Sequence, residues 1–174
     1  MKEKSKVNNV TNRLTKVLFI IYLIALYWIL LLKLGVQFSY MANRKANLIP
    51  FNEPLILTSE NILNVVIFVP LGIYSGILVK RWTFSEKLLL FFLLSLTIEG
   101  LQYILRLGAF DVTDIITNTL GGIIGFMIFK GLEKTFNNSV QAQKFINTIA
   151  AIGTLLMILL LVLLKMNMLP IRYQ

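Results

Sequence analysis

The sequence predicts an all-α protein: a polytopic membrane bundle of about five transmembrane helices, with the N-terminus in the cytoplasm and the C-terminus outside. Three observations predict it. Hydrophobic residues make up 57% of the 174, above the roughly 45–50% usual in soluble domains, and mean hydropathy is +0.77. The excess is gathered into five long runs, each approaching the ~20 residues needed to cross a hydrocarbon core. Lysine and arginine flank those runs instead of lining a helix face, which is the pattern that sets membrane orientation.

A basic leader, residues 1–16, carries Lys2, Lys4, Lys6, Arg13 and Lys16. The first apolar run, about 17–34, is too long for a signal-peptide core and no small-x-small cleavage site follows it, so it reads as an uncleaved signal anchor. Runs at about 62–79, 88–105 and 112–129 complete a core of four spans over residues 17–130. Residues 131–174 hold a cytoplasmic loop, a fifth span at about 149–164 and a short tail. Eleven of the 17 Lys and Arg lie in the leader, the 80–87 loop and the 130–148 loop, on one side. Lys33, Arg44, Lys45, Arg106, Lys165 and Arg172 lie on the other. The richer side is the cytoplasmic one, and Trp28 and Trp82 suit interface anchors. The connection over 36–61 contains Asn47-Leu48-Ile49-Pro50-Phe51 and then Pro54. Two prolines so close disfavour helix, and its apolar content implies that it packs onto the outer face of the bundle or dips into it.

The chain has no histidine and no cysteine. Ser-His-Asp hydrolysis, Cys-His catalysis, disulfides and the usual zinc sites are therefore excluded. The net charge of +9 belongs to topology, and nucleic acid is not an expected partner.

The polar residues that break the apolar runs are concentrated in spans three and four. A short turn around Leu107-Gly108-Ala109 makes these an antiparallel hairpin. Glu99, Gln102 and Arg106 stand at i, i+3 and i+7 of span three, and Asp111, Asp114 and Asn118 repeat that spacing in span four. Each triplet shares one helix face. A tight turn sets Arg106 level with Asp111, Gln102 with Asp114 and Glu99 with Asn118. Asn64, in the first turn of span two, reaches similar depth. An intramembrane acid costs about 2.5–3.5 kcal/mol on insertion scales, so Glu99 must face protein or a wet cavity. Blander roles compete for the same residues. Asp111 also fits the N-cap of span four, with Asp114 favourable at N3. Arg106–Asp111 also fits a rim ion pair, and Glu99 a protonated acid bonded between helices.

Three features are structural. Pro70 kinks span two, Pro50 turns the outer connection, and Gly72/Gly76 and Gly121/Gly125 are G-x-x-x-G pairs that let helices approach closely. Spans two and four both run inward from the outer face, so their N-termini favour an anion there, helped by Arg44, Lys45 and Arg106. The acids beneath suit a divalent cation, sugar hydroxyls or ammonium groups. A headgroup of mixed polarity fits both layers.

In combination, Asn47-Leu48-Ile49-Pro50-Phe51, Asn64 with Phe68-Val69-Pro70-Leu71-Gly72, Glu99-x-x-Gln102-x-x-x-Arg106, and Asp111-x-x-Asp114-x-x-x-Asn118-x-x-Gly121-Gly122-x-x-Gly125 resemble the VanZ-like membrane proteins, a family named for a teicoplanin-resistance factor. The resemblance covers about residues 45–130. It implies a multi-pass protein of the bacterial cytoplasmic membrane that lowers susceptibility to glycopeptides and lipoglycopeptides through a change at the cell surface. It carries over no catalytic role.

The favoured reading is a non-hydrolytic envelope protein that binds a membrane lipid or lipid-linked cell-wall precursor by its headgroup, through Asn64, Glu99, Gln102, Arg106, Asp111, Asp114 and Asn118, with no resident cofactor. A second is an intramembrane enzyme on a lipid-linked phosphate, with Glu99 or Asp114 as acid/base and Arg106 as phosphate clamp. It lacks a nucleophile, since Ser95 and Thr97 have no histidine partner. A third is a small transporter, which with five spans requires a homo-oligomer and shows no inverted repeat.

Orientation is directly testable in a chain without cysteine. With Arg44→Cys and Arg81→Cys introduced singly, an impermeant thiol reagent applied to intact cells labels position 44 and leaves 81 unlabelled. The opposite pattern puts the polar cluster on the cytoplasmic face.

Overall fold

The computed structural model describes residues 2–32, 45–52 and 58–166; Lys33, Arg44, Pro54 and Arg172, all used in the sequence argument, lie outside these. The chain forms α1 (Lys2–Leu32), β1 (Ala46–Asn47), α2 (Ser59–Leu78), α3 (Phe84–Ile104), β2 (Phe110–Asp111), α4 (Val112–Thr135) and α5 (Ser139–Lys165). Each of the five helices contains a stretch long and apolar enough to cross a membrane. Large apolar side chains such as Ile24, Leu63, Leu93, Met127 and Leu155 lie exposed on its outside, as a surface solvated by lipid requires.

The helices outrun the apolar runs at their charged ends. α1 continues back through the basic leader to Lys2. Most of the stretch expected as a cytoplasmic loop is helix too: α4 runs to Thr135, and α5 starts after a break of three residues. Asn138 starts α5, its Oδ1 accepting from the N–H groups of Val140 and Gln141 at 2.8 and 3.3 Å. Apolarity marks where a helix crosses hydrocarbon. Where the helix ends is decided by capping and turn residues. α3 likewise begins at a reciprocal cap, with Thr83 N–H donating to Glu86 Oε2 (2.6 Å) and Glu86 N–H to Thr83 Oγ1 (3.3 Å).

α2 and α4 run parallel in the closest helix contact of the fold. A Cβ at Gly72 would overlap the Gly122 carbonyl oxygen, one at Gly125 the Val69 carbonyl oxygen, and one at Gly121 the Val65 carbonyl oxygen. Gly76 lies against the Phe129 ring and Gly122 against the Phe91 ring of α3. The small-residue pairs therefore do what their spacing predicts. Pro70 stands inside α2, where it withholds the N–H that would bond Val66 C=O; beside that gap, Tyr22 Oη of α1 donates to Ile67 O at 2.9 Å. Two apolar clusters complete the interior. Leu26, Phe68, Leu71, Phe91 and Ile98 fill the space among α1, α2 and α3. Leu18, Tyr74, Ile77, Phe129 and Ile146 join α1, α2, α4 and α5 nearer the other end.

At that other end α1 and α5 are held by a polar seam that the spacing of polar residues in the spans did not reveal. Thr15 Oγ1 donates to Asn147 Oδ1 (3.0 Å), Gln143 Nε2 to Thr15 Oγ1 (2.8 Å) and to Asn12 Oδ1 (2.9 Å), and Asn147 Nδ2 to Thr11 O (3.2 Å). Polar side chains are thus buried at both ends of the bundle.

The glycine contacts make opposite forecasts for one substitution. Gly72→Ala and Gly125→Ala push a methyl into backbone and lower stability by about 1–3 kcal/mol. Gly100→Ala and Gly131→Ala, which point a methyl into open space, are neutral or stabilising by about 0.5–1 kcal/mol, because alanine is the better helix former. Thermal unfolding in one detergent, followed by circular dichroism, separates them; equal effects would disprove the close approach.

Candidate functional site

The site lies where α2 and α4 begin and α3 ends. Its roof is the connection before α2. β1 pairs in parallel with β2, Ala46 beside Phe110 and Asn47 beside Asp111, and Phe110 N–H donates to Lys45 O at 3.0 Å. The Pro50–Phe51 turn follows, with Phe51 in the left-handed region (φ 54°) and its N–H donating to Thr113 Oγ1 at 3.1 Å. Left-handed backbone at a bulky residue is strained by about 1–3 kcal/mol, so contacts to α4 must hold this turn in place. Residues 45–52 of this connection pack on the bundle end; the rest of it up to Leu57 lies outside the described residues.

Asp111 organises the centre. It is the N-cap of α4, its Oδ1 accepting from Thr113 N–H at 2.7 Å. Its Oδ2 accepts from Asn47 Nδ2 at 3.0 Å, and its own N–H donates to Glu99 Oε2 at 3.1 Å. One residue therefore links α4, the roof and α3. Asp114, in the first turn of α4, accepts at Oδ1 from Asn64 Nδ2 of α2 at 2.8 Å. Gln102 turns to α1, its Nε2 donating to Leu30 O at 2.8 Å. Deeper down, Asn118 Nδ2 donates to Ser95 Oγ at 3.0 Å. Glu99 is 2% and Asn118 1% exposed, both facing the interior along the α3–α4 seam.

Asn64, Glu99, Gln102, Asp111, Asp114 and Asn118 therefore gather at one end of the bundle, and Arg106 does not join them. It stands on the exposed turn with φ 59°, and among the described residues it makes no ion pair with Asp111. The expected rungs are also displaced: Glu99 is level with Asp111, and Ser95 with Asn118. The cause is the turn. After Ile104 the chain passes through left-handed Arg106, folds back so that Leu107 N–H donates to Gln102 O (2.9 Å), and runs extended through β2 before α4 starts. That excursion slides α4 along α3 from the register of a tight hairpin.

Two participants were not assigned to the site from the sequence. Ser95 precedes Glu99 by one helical turn, so the face carrying Glu99 and Gln102 already pointed to it; its hydroxyl was weighed only as a nucleophile. Asn47 belongs to a stretch noted for its prolines, and nothing local says that it pairs with Asp111.

Chemically the cluster is carboxylates and carboxamides. The N-termini of α2 and α4 are already capped, by Thr58 Oγ1 accepting from Asn61 N–H (3.1 Å) and by Asp111. The α4 dipole therefore acts first on Asp111 and Asp114. Ser95 Oγ accepts from an amide, and the chain has no histidine to activate it. Among the described residues no three acidic side chains converge to hold a metal ion. Asn118 Oδ1 is buried with no hydrogen-bond partner among the described residues, a deficit worth about 1–3 kcal/mol, so among these residues this depth of the site is short of one donor.

The profile described as VanZ/LLP1 matches residues 19–140, a range that takes in every residue of the site. Protein VanZ of Enterococcus faecium is 38% identical over 152 residues, which cover 86% of this chain and 91% of that protein. No solved structure matches.

The double duty of Asp111 predicts a graded response. Asp111→Ala removes the cap and the Asn47 contact and destabilises by about 1–2 kcal/mol. Asp111→Asn keeps an oxygen for Thr113 N–H and loses less. Equal losses in thermal unfolding would mean that the cap contributes nothing.

Proposed function

The chain belongs to the VanZ/LLP1 family, and from that premise we propose that this multi-pass membrane protein lowers susceptibility to teicoplanin-like glycopeptides by holding a lipid or cell-wall headgroup at the outer face of the bacterial cytoplasmic membrane. The observation that carries the reading is that the hydrogen-bonded set Glu99, Asp111 and Asn47 and the Asn64–Asp114 pair share one end of a bundle whose outside is apolar. Desolvating carboxylates is expensive, and packing alone asks for none of them. The eleven-to-six division of basic residues supports placing that end outside.

Carboxylates, carboxamides and a donor-deficient Asn118 suit a headgroup rich in hydroxyl or ammonium donors. The enzyme reading receives less support. Arg106, its phosphate clamp, stands on an exposed turn, and Ser95 has no histidine partner to activate it. Lys45, beside β1, remains as a basic group for a phosphate.

The test is a deletion strain complemented with wild type or Glu99→Gln. The substitution keeps shape and hydrogen-bonding capacity while removing the charge. Wild type restores survival under a teicoplanin-like drug, and Glu99→Gln, at equal abundance in the membrane, does not. A structural cluster behaves differently: removal of a buried charge is then neutral or stabilising, and survival is unchanged.

A further inference from the structure

A lateral groove of about 630 Å³ lies between α1, α2 and α5, with α4 at its floor. Its wall includes Ala25, Ile29, Ile67, Pro70, Ala150 and Met157 and contains no charged group. The hydroxyls of Tyr22 and Thr154 are already spent on the backbone carbonyls of Ile67 and Ala150. One end is closed by the polar seam, since Leu18 lies one turn beyond Thr15 and Ile146 beside Asn147. Past the seam α5 leaves Ile152, Leu155, Leu156, Leu159 and Val162 exposed. The groove therefore opens sideways at the depth of the hydrocarbon core, where an apolar cleft is not filled by water.

Its chemistry and position choose the occupant. The lining on α1 runs from Leu18 to Ile29, about 17 Å at 1.5 Å per residue, more than half of the ~30 Å hydrocarbon core, and an uncharged wall open to that core is solvated by hydrocarbon chains. The upper end locates what such a chain is attached to. Ile29 precedes Leu30, whose carbonyl accepts from Gln102, and Ile67 lies one turn after Asn64, which bonds Asp114. A chain in the groove brings its polar end to the level of the cluster.

We infer that the ligand of the polar site is a lipid whose hydrocarbon chain is seated between α1, α2 and α5. This rests on the headgroup reading above and adds where the tail lies.

The full-length protein is reconstituted in phosphatidylglycerol vesicles doped with phosphatidylglycerol carrying a diazirine in one acyl chain, irradiated, and the adducts mapped by mass spectrometry. The expected result is adducts at Ala25, Ile73 and Ala150 several-fold above those at the outward-facing Ile20, Met127 and Leu155. Gly153→Trp fills the groove from a position whose Cβ meets nothing within 4 Å, and it should abolish the excess; Ala25→Phe does the same from α1. In the deletion strain both variants should lose drug survival as Glu99→Gln does. Uniform labelling, or an excess that survives both substitutions, overturns the inference. So does cross-linking of two copies through Gly153→Cys, which would assign the groove to a second chain. Uniform labelling while Glu99→Gln still abolishes survival removes the tail seat and leaves the headgroup reading standing. Groove-selective labelling with survival indifferent to Glu99→Gln removes the headgroup reading, and with it the inference that rests on it.

Discussion

A methyl group at Gly72, Gly121 or Gly125 would overlap a backbone carbonyl on the neighbouring helix, so α2 and α4 lie backbone against backbone, and the site depends on that approach. Without a hydrophobic drive between helices in lipid, association rests on close packing and on polar bonds between them. The glycine contacts supply the packing and also set the relative height of the two helices. That height brings Asn64 to Asp114. Gly122 extends the effect to α3, because the Phe91 ring fits only over a residue without a side chain, and this seats Ser95 and Glu99 against α4.

With the helices placed, the buried polar groups follow a consistent logic. A carboxylate in hydrocarbon must find donors, and the bundle offers them from different elements: Asn64 from α2, Asn47 from the roof, and the N–H of Asp111 from the start of α4. Breaking any of these strands a charge or amide where water is scarce, so the roof and the helices are coupled through the cluster. At the far end the α1–α5 seam uses neutral side chains only. Interhelical bonds of this kind average about 0.6 kcal/mol each. Together they fasten the base of α5 to α1, at one end of the groove.

The five spans were legible in the sequence because apolarity over about 20 residues is a local property. So were the small-residue faces on α2 and α4 that permit close approach, the faces carrying Glu99 with Gln102 and Asp111 with Asp114 and Asn118, and the capping role of Asp111. These need only helical periodicity, residue size and capping preference. The helix ends were less legible, because polar segments such as 2–16 and 139–148 are helical without being apolar. The rungs differ from those of a tight hairpin because the turn is longer than its local sequence suggests. Its path through Arg106 and β2 depends on β1, more than sixty residues earlier, and no local preference encodes that pairing.

The sequence by itself therefore determined which residues had to avoid lipid: a charge or amide inside an apolar run is costly wherever the rest of the chain lies. Only the tertiary structure decided which partners satisfied them. It matched Glu99 to the backbone of Asp111 instead of to Asn118, gave Asn118 to Ser95, left Arg106 outside, and opened a groove beside α5. Hydrogen bonds reach about 3 Å, so partner choice turns on the relative height of helices to within one turn. That height comes from contacts between segments far apart in the chain.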